Sequence, residues 1–422
     1  MIFLFFNKLI RIKIFKLVLM KSFLIFITSL FFLVAYGQVK TEESAYLKKE
    51  NYIPYPGTSN DIEKTVHVAI HIWQRADGSG NMRDIPAHYA RFIKIIDWMN
   101  GLYAKNPDAP IPGVPYKVDS IYDSKIRFKL EKIYFYKDAT PDSSYFYSTD
   151  YLHNKKLNDY LKEHFPERVK TLNLHIFRGS YAKASGYSEY GSIGTFYRVN
   201  PEMSEDDVHD WWLSKHWAHE IGHGLDLWHT YDANGSYQQN CKSTYRDFLW
   251  DVYDTTAVPS GKGCNVDLIT DKSNNNLMGG QEGNSMSVLQ MGIAHRATVI
   301  ENLYNKGYNM RDFVTGYGYW SKAIENNEVW NVSMKMYQDI VVKKGATLTI
   351  KTEIQMVPKA KIIVEKGAKL IIDGGVITNE KYYNKEWKGI IVRKAKKSSS
   401  VESGELIQMN GGKVSHAKVK YK

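Results

Sequence analysis

The segment from Lys215 to Asp232, KHWAHEIGHGLDLWHTYD, restricts the fold more than any other part of the 422-residue chain. His219 and His223 are four residues apart, so on an α-helix both side chains project from one face, one turn apart. Gly224 is a natural end for that helix, and beyond it His229 can turn back towards the other two histidines. The spacing therefore predicts a helix, a stop and a return that bring three imidazoles to one metal ion.

Three neutral imidazoles leave the fourth tetrahedral position of Zn²⁺ open for water, which is typical of catalytic rather than structural zinc. Glu220 can lie beside that water without binding the metal, accept its proton during attack on a peptide carbonyl, and return the proton to the leaving amine. We therefore predict one zinc ion per chain, with Glu220 as the general base of an endopeptidase acting on polypeptides. His209 and His216, on the same predicted helix, are interpreted as surface histidines rather than ligands.

The net charge of +11 is unevenly distributed along the chain. Residues 1–37 carry five basic and no acidic side chains, and residues 321–422 carry a basic surplus of ten. Removing these surpluses of 5 and 10 from +11 leaves residues 38–320 at −4. Because no basic patch is interleaved with stacking aromatic residues, we expect no nucleic-acid partner.

Residues 1–37 have the pattern of an export signal. Lys21 precedes the apolar run Ser22 to Val34, and Ala35 to Gly37 offers small residues for cleavage before Gln38. Translation starting at Met20 fits this pattern equally well, and the alternative is a membrane anchor built from the whole segment. We expect a protein that is secreted and either extracellular or associated with the cell surface, with no membrane span in the mature chain.

A chain of this length exceeds what one hydrophobic core usually organises, so we expect two folded modules. Residues 38–61 are expected to be a linker or short propeptide, and residues 62–318 an α+β domain. Alternating and helical apolar spacings in that domain predict three strands and one helix: Thr65 to Trp73, Ile126 to Tyr136, Thr171 to Phe177, and the helix Ile85 to Tyr103.

Residues 319–422 form an all-β repeat module by sequence pattern. The stretches Ile340 to Ile350 and Ile362 to Ile372 align without gaps at a spacing of 22 residues, with Gly345 matching Gly367. Short β-branched strands separated by glycine turns are typical of a stacked β-solenoid, and a small β-sandwich is the alternative. A solenoid ending at Lys422 would expose an open edge, so we expect a capping partner or an incomplete module.

The zinc segment resembles the metzincin metallopeptidases, most closely the pappalysin family with its cytophagalysin-like bacterial branch. The signature H-E-x-x-H-x-x-G-x-x-H is matched from His219 to His229, except that Asp226 stands in place of the family glycine. The segment Asn276 to Gly279 is similar to the clan's Met-turn, with Met278 beneath the metal. Many metzincins carry a transition-state tyrosine two residues after that methionine, where this chain has Gly280.

The resemblance implies a metzincin-like catalytic domain, with a mixed twisted sheet and an active-site helix. It also implies a disulfide between Cys241 and Cys264, the only two cysteines, for which two free thiols are the alternative. A structural calcium ion in the family would correspond to Asp251, Asp254 and Thr255, although an ordinary acidic loop accounts for these residues equally well. The substrate is expected to lie along an edge strand, for which Ser185 to Val199 is the candidate.

A different class of function is also compatible with the pattern. In it the C-terminal module binds a surface glycan or protein, and Asp226 and Gly280 mark a degenerate peptidase module. Replacing Asp226 by glycine separates the two hypotheses, because a degenerate module would gain activity.

Overall fold

The structure is a computed structural model that describes residues 45–79, 81–105, 123–137, 159, 163, 170–176, 186–189, 192–195, 207–230, 246–252, 276–279, 283–303, 308–396 and 402–421. It divides into residues 1–48, with a 3₁₀ turn at Ala45–Leu47, and residues 49–422, to which everything below refers. The predicted signal, both cysteines, Asp254, Thr255 and Gly280 lie outside the described residues. No helix of the described ranges is long and apolar enough to cross a membrane.

Six of the described strands form a mixed sheet in the first part of this unit. Its strands are ordered β2-β1-β3-β5-β4, and β6 pairs with β1; their bounds are β1 Lys64–Gln74, β2 Ile126–Lys137, β3 Leu172–Ile176, β4 Gly186–Glu189, β5 Ser192–Thr195 and β6 Val314–Gly316. Strands β1, β2, β3 and β5 run parallel, whereas β4 and β6 pair antiparallel with their neighbours. The three predicted strands agree with β1, β2 and β3 to within one residue at each end.

Three α-helices are described: α1 (Pro86–Ala104), α2 (Asp207–Gly224) and α3 (Val288–Ala297). Helix α1 begins with proline at a position whose N–H has no helical partner, and it agrees with the predicted helix to within one residue. Its buried stripe, Phe92, Ile95, Ile96 and Met99, has the helical spacing from which it was predicted. Helix α1 packs against both β2 and α2.

Contacts with α1 hold α2 in place. The guanidinium of Arg91 donates to both carboxylate oxygens of Asp210, at 2.9 and 2.6 Å. The buried hydroxyl of Tyr103 donates to the carbonyl of Ala218 at 3.0 Å, one residue before the first histidine of the zinc segment. Burial strengthens such bonds and raises the cost of leaving either partner unpaired, so the helix bearing the histidines has a defined position.

The described strands of the tail form three parallel β-sheets. Consecutive strands go to different sheets, which have the orders β19-β16-β13-β10-β7, β17-β14-β11-β8 and β18-β15-β12-β9. The strand bounds are β7 Lys322–Ile324, β8 Glu328–Trp330, β9 Met334–Met336, β10 Ile340–Val342, β11 Thr347–Ile350, β12 Glu353–Met356, β13 Lys361–Val364, β14 Lys369–Asp373, β15 Val376–Asn379, β16 Trp387–Val392, β17 Glu405–Met409, β18 Lys413–Val414 and β19 Ala417–Tyr421.

The 22-residue repeat sets the register of neighbouring turns of this tail. Ile340 pairs with Ile362, and the buried Leu348 pairs with the buried Leu370. Gly345 and Gly367 both have positive φ, at +86° and +72°, as turns between strands require. The sandwich of hairpins is wrong, because every strand pair described in the tail is parallel; an all-β module of parallel sheets is consistent with the predicted solenoid.

Strand β6 ends at Gly316 and belongs to the first sheet, whereas β7 begins at Lys322 and belongs to the tail. The tail packs directly against the segment that follows α3. The backbone N–H of Lys335 donates to Val299 at 2.8 Å, and the hydroxyl of Tyr337 donates to the carbonyl of Thr298 at 2.7 Å. Both side chains are buried, so the tail and the segment after α3 share a core.

Candidate metal centre

Helix α2 ends in a left-handed turn at Asp226. The N–H of Leu227 donates to Gly222 and that of Asp226 to His223, the two hydrogen bonds of a Schellman ending. Asp226 occupies the left-handed position of that motif with a φ of 66°, a conformation that glycine adopts most easily. The position therefore has the backbone conformation expected of the family glycine, although its residue is aspartate.

A buried arginine on α3 lies in the electrostatic field of this turn. Burial alone would lower the pKa of Arg296, but its hydrogen bonds to Asp247 and the charges of Asp247 and Asp226 raise the pKa. Its guanidinium donates to both carboxylate oxygens of Asp247, at 2.7 and 2.8 Å, in a fully buried pair. Arg296 is therefore paired with Asp247 in the core, and the charge of Asp226 adds to the field that favours the charged guanidinium.

The turn brings three imidazoles together. The Nε2 atoms of His219 and His229 are 3.1 Å apart, and those of His223 and His229 are 3.0 Å apart. One nitrogen from each ring lies within 4.8 Å of the others, so the three residues could hold a metal ion. His219 is buried, whereas His223 and His229 are partly exposed, which leaves the cluster accessible from one side.

Backbone carbonyls orient two of these rings. The Nδ1 of His219 lies 2.8 Å from the carbonyl oxygen of Leu277, and that of His223 lies 2.8 Å from the carbonyl of Leu227. A carbonyl can only accept, so each Nδ1 is the protonated donor, and in the neutral ring each Nε2 then presents its lone pair to the cluster. Such outer hydrogen bonds are typical of metal-binding histidines. Sequence reasoning missed both carbonyls, since a backbone acceptor has no residue signature.

The segment predicted to be the Met-turn passes beneath α2. Met278 is fully buried, and its sulfur lies 2.6 Å from the place where a Cβ on Gly222 would be. The N–H of Thr230 donates to the carbonyl of Met278 at 3.0 Å, one residue after His229. The turn thus touches the helix and the returning chain, which carry the first and third histidines.

An amide pair attaches this turn to α3. The side chain of Asn276 donates to Gln290 Oε1 at 2.8 Å and accepts from Gln290 Nε2 at 3.2 Å, while its Oδ1 also accepts from the N–H of Met278 at 2.9 Å. Gln290 in turn completes a capping box with Ser287 at the start of α3. Sequence reasoning did not single out Asn276 as a structural partner of the helix; the S-x-x-Q spacing of the capping box was the available signal.

Glu220 is buried on α2 beside His219. The Nε2 of His216 lies 3.9 Å from a carboxylate oxygen of Glu220, one helical turn away. His216 is not among the three converging rings, yet the expectation of a surface position is wrong, because it is only 1% exposed. The side chain of His209 lies outside the described residues.

Asp251, one of the three residues considered for calcium, serves α3. Its Oδ2 accepts from the N–H of Leu289 at 2.9 Å in the first turn of the helix. Burial raises the pKa of this carboxyl to about 6, against the opposing effect of that hydrogen bond. With Asp254 and Thr255 outside the described residues, nothing in the described part of the chain supports a calcium site.

The candidate edge strand falls where it was predicted within the sheet. The range Ser185 to Val199 contains both β4 and β5, and β4 ends the strand order with β5 as its neighbour. Strand β4 runs antiparallel to β5, whereas β5 runs parallel to β3. Both strands pack near α2, so the sheet edge and the histidine helix belong to one neighbourhood.

Comparison with known proteins supports a peptidase reading of this centre. Residues 114–267 match the family model described as Metallo-peptidase family M12, and this span contains His219, Glu220, His223 and His229. The match covers 154 of 422 residues and ends before Met278. No curated protein matches the chain. The match, together with three histidines that could hold a metal, supports a metallopeptidase domain.

Proposed function

We propose that this chain is a zinc-dependent endopeptidase of pappalysin-like type. The observation that carries the proposal is the convergence of the His219, His223 and His229 nitrogens inside the segment that matches a metallopeptidase family. The chemistry of these donors supports a cation at their centre. Since His219 and His223 both present lone pairs, a single N–H on His229 cannot be directed at both nitrogens, whereas one cation attracts all three.

The donor set supports zinc. The Nε2 atom of His229 lies 3.1 Å from that of His219 and 3.0 Å from that of His223, so the three rings would hold one ion between them. Imidazole is a ligand that suits zinc. When bound, zinc supplies Lewis-acid polarisation of a carbonyl and lowers the pKa of water to about 7.

The chain's own residues then have separate tasks. Glu220 accepts the proton of the attacking water and later transfers it to the leaving amine. Leu277 and Leu227 hold the first two imidazoles in the ligand tautomer through their carbonyls. Strand β4, which ends the order of the described strands, would accept an extended polypeptide by backbone hydrogen bonds.

The proposal includes export, so that the mature protein acts outside the cell or at its surface. The support is the sequence of residues 1–37, with an apolar run and small residues before Gln38. Expression with this segment should release protein whose first residue is Gln38. Protein that stays in the membrane fraction with residues 1–37 attached would instead establish an anchor.

Removal of the proposed base tests the peptidase mechanism. The Glu220→Gln variant should bind about one zinc ion yet lose at least about 100-fold in cleavage of an unfolded protein, because general base catalysis is removed. Glu325→Gln, the same change at an exposed position of the tail, is the matched control and should cleave normally. A chelator should abolish cleavage and added zinc should restore it. Full activity of Glu220→Gln, or activity indifferent to the chelator, would overturn the proposal.

A further inference from the structure

A second concave site lies far along the chain from the histidines, where β6 meets the tail. The cavity has a volume of about 350 Å³ and opens to the surface. Its lining is Thr315, Gly316, Tyr317, Val357, Pro358, Lys359, Tyr383 and Lys385. This volume is at the small end of the range of roughly 300–1,000 Å³ for ligand sites and suits one or two sugar-sized rings. None of these residues takes part in the proposed peptide hydrolysis.

The cavity combines aromatic faces with positive charge. The ammonium of Lys359 lies 5.6 Å from the centre of the Tyr317 ring, and that of Lys385 lies 5.6 Å from the centre of the Tyr383 ring. None of the described lining residues is acidic, and within the described part of the chain neither ammonium has an ion-pair partner. The nearby Asp339 is already paired with Lys361. The site therefore favours a ligand that brings negative charge to a flat, weakly polar surface.

The aromatic surface continues outside the cavity. The rings of Tyr317 and Tyr319 are 5.6 Å apart and nearly perpendicular, and Tyr319 is 92% exposed. Trp320 follows it with 51% exposure, and Tyr383 is 49% exposed. Large aromatic side chains that contact one another at the surface are typical of an interaction surface.

We infer that this aromatic-lysine site binds an acidic polysaccharide built from uronic-acid-like sugars. Each sugar offers a flat face of C–H groups to a tyrosine ring, and its carboxylate pairs with Lys359 or Lys385. The hydroxyl groups of Tyr317 and Tyr383 can hydrogen-bond the sugar hydroxyls. A small free acid would use only the cavity, whereas the exposed Tyr319 ring, in contact with Tyr317, and the following Trp320 offer further faces to a chain of such units.

Binding of a defined oligosaccharide tests this inference on the full chain. The probe is a hexasaccharide of galacturonic acid, compared with its neutral methyl ester and with the monosaccharide. The acidic hexamer should bind at least about tenfold more tightly than either comparison ligand, and added salt should weaken its binding, because exposed charges are screened. Equal binding of the neutral ester, or no binding of the acidic hexamer at millimolar concentration, would overturn the inference.

Variants locate the site. Tyr383→Ala and Tyr317→Ala should each weaken hexamer binding by about three- to tenfold, as expected for loss of a stacked aromatic contact. Lys359→Gln should weaken it by about two- to fivefold, whereas Lys366→Gln, which changes an exposed lysine that does not line the cavity, should not.

Unchanged thermal unfolding would show that Lys359→Gln is folded. Equal losses in Lys359→Gln and Lys366→Gln would show diffuse charge attraction and refute the site, and preference for an acidic peptide over the hexamer would refute the ligand class.

Discussion

The sulfur of Met278 fills the space that a side chain on Gly222 would occupy, at 2.6 Å from the position of the missing Cβ. Gly222 lies on α2 between His219 and His223, and its carbonyl accepts the N–H of Leu227 in the turn that ends the helix. Glycine normally weakens a helix interior by about 1 kcal/mol relative to alanine. Close approach of the methionine turn provides the structural reason for glycine here.

Gly222→Ala should therefore destabilise the protein, by about 1–3 kcal/mol, because the added methyl group must displace the buried side chain of Met278. The contacted atoms belong to side chains, so the Leu277 carbonyl that orients His219 should stay in place and zinc affinity should change little. The matched control is Gly101→Ala on α1, where an added Cβ meets no atom within 4 Å. That control should stabilise the protein by up to about 1 kcal/mol. Chemical denaturation and zinc titration of both variants measure these effects, and similar changes in stability in the two would contradict the packing argument.

Asp226→Gly separates an active peptidase from a degenerate one. The backbone at this position already has a φ of 66°, so glycine changes the path to His229 little. Glycine relieves a left-handed strain of about 1 kcal/mol but removes a negative charge near the buried Arg296. We expect kcat/KM for an unfolded substrate to change by less than about threefold, and stability by about 1 kcal/mol or less. A large rise from near-zero activity would instead support a binding protein with a degenerate peptidase module.

Periodic patterns predicted the elements of this fold well, because they depend on local geometry. Val66, Val68, Ile70 and Ile72 alternate along β1, and the 22-residue offset between Ile340 and Ile362 is also their pairing register. The spacing of four between His219 and His223 likewise follows from helix geometry. In each case the residues that carry the pattern are neighbours in sequence or in a repeat.

Contacts between distant segments could not be predicted in this way. The carbonyl of Leu277 reaches His219 across 58 positions, and nothing in the residue type of Leu277 marks its backbone as an acceptor. His216 was misplaced on the surface for a related reason, since its burial depends on segments that pack around α2 and not on its own spacing. Three-dimensional packing determines these features, whereas the sequence shows only the local periods.

Asn276→Ala should loosen the methionine turn from α3. The substitution removes the amide pair with Gln290 and the acceptor of the Met278 N–H, leaving buried polar groups without partners. Each such group costs about 1–3 kcal/mol, so we expect a loss of about 2–4 kcal/mol in unfolding free energy and about tenfold weaker zinc binding. Asn326→Ala, at an exposed turn of the tail, should change stability by less than about 0.5 kcal/mol. Unaltered stability in Asn276→Ala would show that the amide pair does not hold the turn.

Lys64 makes the unfolding free energy of the protein vary with pH in the alkaline range. Its Nζ is buried between the carbonyl of His295, to which it donates at 3.3 Å, and the Tyr337 ring, and burial lowers its pKa from 10.5 to about 7. Because this pKa is lowered, the unfolded chain binds more protons between pH 7 and 10.5. The contribution of Lys64 to stability therefore rises with pH across that window, by up to about 1.4 kcal/mol per pH unit, and its destabilising effect is fully present below pH 7.

Lys64→Met should remove this dependence while filling a similar volume. The His295 carbonyl keeps a partner in the variant, because the hydroxyl of Thr298 also donates to it at 2.6 Å. Chemical denaturation at pH 7 and pH 9.5 should show the unfolding free energy of the parent rising relative to the variant by about 3 kcal/mol. Burial lowers the pKa of His295 well below the ordinary value for histidine and raises the pKa of Tyr337 well above the ordinary value for tyrosine. Neither group therefore titrates in this range. Parallel pH profiles for parent and variant would show that Lys64 keeps its proton in the folded protein.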